Sequence, residues 1–319
     1  MKILLSISCI LVSACTLTPI KKSHHPKSDH LGSLYIVDAD PKRGFNFAFF
    51  LYIPTMAEKN PSLLVIPNNS GSSKLSYDSQ INHARREALS WSSMAKKTSS
   101  ILLVPTFPRP DVVPPIYTHA LSRAALEVRK GNLKRIDLQL LKMIEAAKSV
   151  IAEKESKIIK KKVFLFGFSA SAMFVNRFTF IHPEAVAAVA LGSPGGWPIA
   201  PTKIYKKQKL IYPVGIQDLE SIVKTPINLD KIAKVPMFLF LGENDENDSV
   251  VYRDSYTEEN EIQIFKLFGK KPVDRWTDSK NLYKKSKLNA TFKLYPGMGH
   301  ETNKAIHEDI VSFFNKVNR

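Results

Sequence analysis

Cysteine is almost missing from this chain. Of 319 residues only two are cysteines, Cys9 and Cys15, both among the first fifteen. Nothing downstream can therefore close a disulfide or assemble a cysteine-based metal site. Glycine is sparse at 13 residues. Negative charge is scarce too, with 29 acidic side chains against 46 lysines and arginines, a net charge of +17. There are no internal repeats and no low-complexity tract. No helix-turn-helix, zinc finger or mixed aromatic and basic RNA-binding pattern is present, so no nucleic acid partner is expected. What the chain does have is 44% hydrophobic residues, enough to bury one large core, and its length does not force a second domain. The excess positive charge, densest at Lys160-Lys161-Lys162, reads as a solvated basic surface. Attraction to an anionic membrane, nucleic acid or acidic substrate is the alternative. The composition leaves the oligomeric state open.

The N-terminus begins Met1-Lys2, and residues 3–12 are mostly apolar. That stretch is too short to span a bilayer but fits the core of a signal peptide. Val12-Ser13-Ala14-Cys15 resembles a bacterial lipobox, which implies cleavage after residue 14 and acylation of Cys15. The expected organisation is a signal peptide over 1–14, a lipidated tether over 15–32 and one domain over 33–319. An ordinary cleaved signal peptide is the alternative. Thr16, where inner-membrane retention would place aspartate, points to lipid anchoring in the outer membrane of a bacterial envelope. His24, His25 and His30 fall in the polar tether and read as solvated.

Beyond the tether, short apolar runs alternate with helical periods. Strands are expected at Leu34–Val37, Phe47–Ile53, Leu63–Ile66, Ile101–Val104, Val163–Phe166, Val186–Leu191, Met237–Leu241 and Thr291–Leu294. Runs that are apolar throughout suit strands buried on both faces of a parallel sheet. The first two should form an antiparallel hairpin turning near Pro41–Gly44. Helical patterns cover 81–98, 134–154, 172–180 and 303–317. In the second, Ile136, Leu138, Leu140, Leu141, Ile144, Ala147 and Ile151 are assigned to the apolar face. The alternation predicts an α/β fold, a mostly parallel eight-stranded sheet flanked by helices. Two longer stretches, 192–235 and 249–289, read as insertions after the sixth and seventh strands, over the carboxyl edge where ligands bind.

The most informative segment is Phe164-Leu165-Phe166-Gly167-Phe168-Ser169-Ala170-Ser171-Ala172. An apolar run meets a glycine, a serine follows two residues later, and a helix starts at once. A serine on so sharp a turn needs small residues two before and two after it. Gly167 and Ser171 meet that demand, with Ser171 where glycine is commoner. A nucleophilic serine also needs a base and an acid that orients the base. Met237–Leu241 runs into Gly242-Glu243-Asn244-Asp245, which places a carboxylate just past a buried strand; Asp245 is the preferred acid and Asp248 its rival. Leu294-Tyr295-Pro296-Gly297-Met298-Gly299-His300 places an imidazole on a glycine-containing turn before the last helix. His182 and His307 read as packing or surface residues.

These features resemble those of the α/β-hydrolases, in pattern bacterial esterases related to polyhydroxybutyrate-depolymerase-like and dienelactone-hydrolase-like proteins. The residues that carry the likeness are Pro67-Asn68-Asn69, the elbow with Asn176-Arg177-Phe178 and His182-Pro183-Glu184, Gly242–Asp245, and Gly297–His300. The resemblance implies the α/β-hydrolase fold and hydrolysis of a small-molecule carboxylic ester, with Ser169 as nucleophile, His300 as base and Asp245 as acid. It implies an oxyanion hole from the N–H of Ala170 and a donor within 68–70, for which Asn69 is chosen. Phe168 and Trp197 are candidate walls of the substrate site. No cofactor and no metal is called for. A peptidase or amidase on the same triad, and a non-catalytic lipoprotein binding module, are the competing readings.

Overall fold

The computed structural model describes residues 20–22, 32–55, 60–69 and 72–318. The expected signal peptide, Cys15 and the three tether histidines lie outside the described residues. The strands are β1 (Ile20–Lys22), β2 (Gly32–Val37), β3 (Phe49–Pro54), β4 (Ser62–Val65), β5 (Ser100–Pro105), β6 (Val163–Phe168), β7 (Val186–Gly192), β8 (Ile204–Tyr205), β9 (Gln208–Lys209), β10 (Met237–Gly242) and β11 (Ala290–Tyr295). The helices are α1 (Tyr77–Ser90), α2 (Ser92–Lys97), α3 (Arg123–Glu127), α4 (Ile136–Glu155), α5 (Ala170–Ile181), α6 (Leu219–Val223), α7 (Leu229–Ala233), α8 (Ser249–Tyr252), α9 (Glu258–Phe268), α10 (Pro272–Lys285) and α11 (Lys304–Asn318).

All eight expected strands join one sheet, in the order β2-β3-β5-β4-β6-β7-β10-β11, and β1 adds a ninth at the edge. Pairing is parallel from β5 to β11 and antiparallel among β1, β2, β3 and β5. The β2–β3 hairpin turns through Pro41–Arg43 and Gly44, whose φ of 93° suits glycine. Within the stretch 15–32 expected as the tether, Ile20–Lys22 pairs with β2.

The apolar runs become strands because both faces are covered. Successive residues point to opposite sides. Thus Val163 and Leu165 face a core shared with α4 and α5, while Phe164 and Phe166 face a second core shared with α1, α2 and α11. Leu138 departs from the expected face of α4 and is 41% exposed. It sits two residues from both Ile136 and Leu140, about 200° around a helix, so it points away from them. No described helix is long and apolar enough to cross a membrane.

The two long stretches form a third cluster. Trp197, Leu210 and Val214 from the first pack with Tyr256, Ile264 and Phe268 from the second, beside Ala170 and Met173 at the start of α5. They therefore gather around the carboxyl end of the sheet, where β6 delivers Ser169.

Candidate active site

Ser169 joins β6 to α5 with φ 59° and ψ −123°. A non-glycine residue there stores backbone strain, of order 1–3 kcal/mol, that the surroundings must hold. The turn is as tight as the sequence requires. A Cβ added to Gly167 would lie 2.3 Å from the Ser171 carbonyl oxygen. Ser171 does more than fit. Its hydroxyl accepts the Phe168 N–H at 2.9 Å and donates to the Phe168 carbonyl at 2.8 Å, bracing the turn from inside. That role was not legible in the pentapeptide. Ala170 is the first residue of α5, and the N–H groups of a first helical turn have no intrahelical partner.

Asp245 and His300 come together as a pair. His300 Nδ1 lies 3.1 and 3.0 Å from the two carboxylate oxygens of Asp245. Their loops are zipped: Glu243 N–H donates to the Tyr295 carbonyl at 3.0 Å and Asn244 N–H to the Met298 carbonyl at 2.8 Å. Gly242 permits this, since a Cβ there would lie 2.3 Å from the Gly299 carbonyl oxygen. Asp245 is 3% exposed. Burial alone would push its carboxyl up, but the hydrogen bond from His300 and the Ser193 hydroxyl outweigh burial and hold it below the usual range. Asp248, the rival, is engaged elsewhere. Arg275 grips it through two bonds of 3.1 and 2.8 Å, and it accepts the Val250 N–H at the start of α8.

The Phe168 ring lies 4.8 Å from the His300 ring, so the residue before the serine meets the imidazole directly. Among the described residues, no hydrogen bond joins Ser169 Oγ to His300. Catalytic hydrogen bonds are commonly long without substrate and tighten in the complex.

On the other side of the serine, Asn69 Nδ2 lies 3.5 Å from the Phe168 carbonyl, while Asn69 N–H points to both carboxylate oxygens of Glu87 at 3.2 Å. The Asn69 backbone donor is thus occupied, and its side chain is what faces the elbow. Ser70 lies outside the described residues. Asn68 clamps the neighbouring loop, donating to the Phe107 carbonyl and accepting the Phe107 N–H. Glu87 is half-buried; burial raises its carboxyl pKa, opposed by the Asn69 N–H and by Arg86.

Trp197 does not line the site. It is 1% exposed, stacks on Phe268 at 4.1 Å and donates its indole N–H to the Val214 carbonyl. Its expected place in the substrate wall is corrected to packing behind Ala170 and Met173, because the second long stretch supplies a ring that covers it.

A second Asp–His pair lies at the far end of α5. His182 Nε2 is 2.9 Å from Asp137 Oδ2, and Arg135 holds the same carboxylate at 2.8 and 2.6 Å. Burial would raise the Asp137 carboxyl, but the bonds from Arg135 and His182 win and bring it down to about 2.

No protein-family profile matches the sequence, and no curated protein sequence resembles it significantly. Solved structures do. The chain is similar to poly(aspartic acid) hydrolase-1 from Sphingomonas sp. KT-1, with TM-score 0.58 and 15% identity over 88% of this chain and 97% of the other. It is also similar to the poly(3-hydroxybutyrate) depolymerase LpqC of Bordetella parapertussis, with TM-score 0.57 and 18% identity over 90% and 91%. The parallel sheet with its antiparallel edge, the serine on a strained strand-to-helix turn, and a buried acid after β10 and a histidine after β11 agree with this likeness: the chain has the α/β-hydrolase fold.

Proposed function

We propose that the protein is a serine hydrolase that cleaves carboxylic esters through an acyl-serine intermediate. The observation that carries this reading is a strained, strand-end serine at the same sheet edge as a histidine already held by a buried carboxylate. His300 Nε2 takes the proton as Ser169 Oγ adds to the ester carbonyl. Asp245 fixes the imidazole with its proton on Nδ1 and stabilises the imidazolium that forms. The oxyanion receives the Ala170 N–H and the Asn69 side-chain amide. His300 then returns the proton to the departing alcohol, and water, deprotonated by the same imidazole, releases the acid.

Phe168 lines the acyl side in this reading. On the loop 243–248 two acidic residues, Glu243 and Glu246, are exposed and no basic residue is present, which favours neutral or cationic esters over polyanionic ones. Purified protein is expected to hydrolyse a short-chain p-nitrophenyl ester, and Ser169→Ala to reduce kcat by about 10⁴-fold or more. Equal rates for the folded pair would overturn the assignment. The reading includes a lipid anchor at Cys15 in the bacterial envelope. Wild type should then leave membranes only with detergent, and Cys15→Ser with salt alone.

A further inference from the structure

The lysine run 160–162 precedes β6 and so lies at the opposite end of the sheet from Ser169. The topology gathers more lysines there. Segments 96–99, 154–162, 182–185, 231–236 and 284–289 lead into β5, β6, β7, β10 and β11, and 316–318 ends α11. Together they hold thirteen lysines and only two acidic residues, Glu155 and Glu184. Eleven of those lysines are exposed, and among the described residues none of the eleven forms an ion pair. The strand order sets these segments along one end of the sheet, with Asn60-Pro61 before β4 lying between the first two, over about 24 Å for six strands at roughly 4.8 Å spacing.

Direct contacts tie the strip together. Asn315 Nδ2 donates to the Lys97 carbonyl at 3.1 Å, and Lys160 Nζ to Asn318 Oδ1 at 2.6 Å. Lys97 and Lys160, with Asn60, Asn315 and Asn318, line a cavity of about 380 Å³. Ile158, within the densest segment, is 76% exposed.

The composition selects among anionic partners. The six segments contain no arginine and no Phe, Tyr or Trp, and their one imidazole, His182, is buried against Asp137, whereas base recognition draws on arginine forks and stacking rings. Lysines around an exposed aliphatic residue suit a lipid surface, where ammonium groups meet phosphates and the aliphatic group enters the acyl boundary. Glu243 and Glu246, exposed at the other end, would be repelled by the same surface, so a single orientation is selected.

We propose that this end of the sheet docks on an anionic phospholipid bilayer, with Ile158 inserted, a phosphate headgroup in the Lys97–Lys160 cavity and the Ser169 edge turned to water. The test uses the full chain carrying Cys15→Ser, so that lipidation cannot act, and a second version that also carries Lys97→Gln, Lys154→Gln, Lys161→Gln and Lys162→Gln. Any contribution of the first nineteen residues is common to both. Both are co-sedimented with vesicles of phosphatidylcholine alone and of phosphatidylcholine mixed with phosphatidylglycerol, at low and high salt. The parent should bind the mixed vesicles at least about tenfold more tightly, and the preference should vanish at high salt and in the glutamine version, with unchanged thermal unfolding. Ile158→Ser should weaken binding and leave the salt dependence unaltered. Equal binding to both vesicles, retained preference in the folded glutamine version, or tighter binding to duplex DNA at the same salt would each overturn the proposal. So would sedimentation showing that the strip instead pairs with the acidic loop of a second copy.

Discussion

Among the described residues two Asp–His pairs with buried carboxylates stand at opposite ends of α5, alike in distance and unlike in their surroundings. Asp245 meets His300 at 3.0 Å and Asp137 meets His182 at 2.9 Å. At the carboxyl end of the sheet the carboxylate has no arginine, the imidazole is 24% exposed, and a strained serine emerges beside it. At the amino end Arg135 neutralises the carboxylate, the imidazole is 9% exposed, and no positive-φ serine adjoins it. An Asp–His distance therefore identifies no site. What separates the two is the company each keeps: an uncompensated acid and a partly open ring suit proton transfer, while a neutralised, enclosed pair suits stability.

Asparagine at each aspartate is the sharpest way to break this contrast. Asp245→Asn leaves the imidazole in the wrong tautomer and should lower kcat by up to about 10⁴-fold with little loss of stability. Steady-state kinetics on the ester used for Ser169→Ala will read it. Asp248→Asn strips Arg275 of its buried partner and should cost about 3–5 kcal/mol in urea unfolding, while the folded fraction keeps its kcat. Asp137→Asn should cost about 3 kcal/mol and leave kcat within a few-fold.

The same pair gives a pH signature. The folded pKa of Asp137, about 2, lies below its ordinary 3.8. The unfolded chain therefore takes up the proton first, and the stabilisation is complete above pH 3.8 and lost as pH falls toward 2. That amounts to about 2 kcal/mol, absent from the pH profile of Asp137→Asn. The smallest effect is expected at Ser171→Gly. It removes two hydrogen bonds at the turn and should cost about 1 kcal/mol, with kcat changed only a few-fold.

Much of this site was legible because its parts are local. Each apolar run marks a strand, and the residues just past its end inherit the strand's position, so Ser169, Asp245 and His300 could be placed from short windows. What was not legible depends on distant residues. Asp245 and Asp248 share one acidic loop, and Arg275, on α10, draws the second away. Asn69 looked like an amide free to donate, but its backbone is claimed by Glu87, which α1 brings beneath it. Trp197 looked like a pocket wall until Phe268 closed over it. The strand at Ile20–Lys22 has no apolar run to announce it. Leu138 failed for a different reason, since hydrophobicity alone does not fix a face and a two-residue spacing turns it outward.

The central claim is that Ser169, and no other residue, is the activated nucleophile. Reaction of folded wild-type protein with a fluorophosphonate, followed by mass spectrometry of the digested chain, tests it most directly. The account predicts one adduct, on the peptide that carries Ser169, and none in Ser169→Ala. Folded wild type that stays unlabelled, or an adduct that persists in Ser169→Ala, would contradict it.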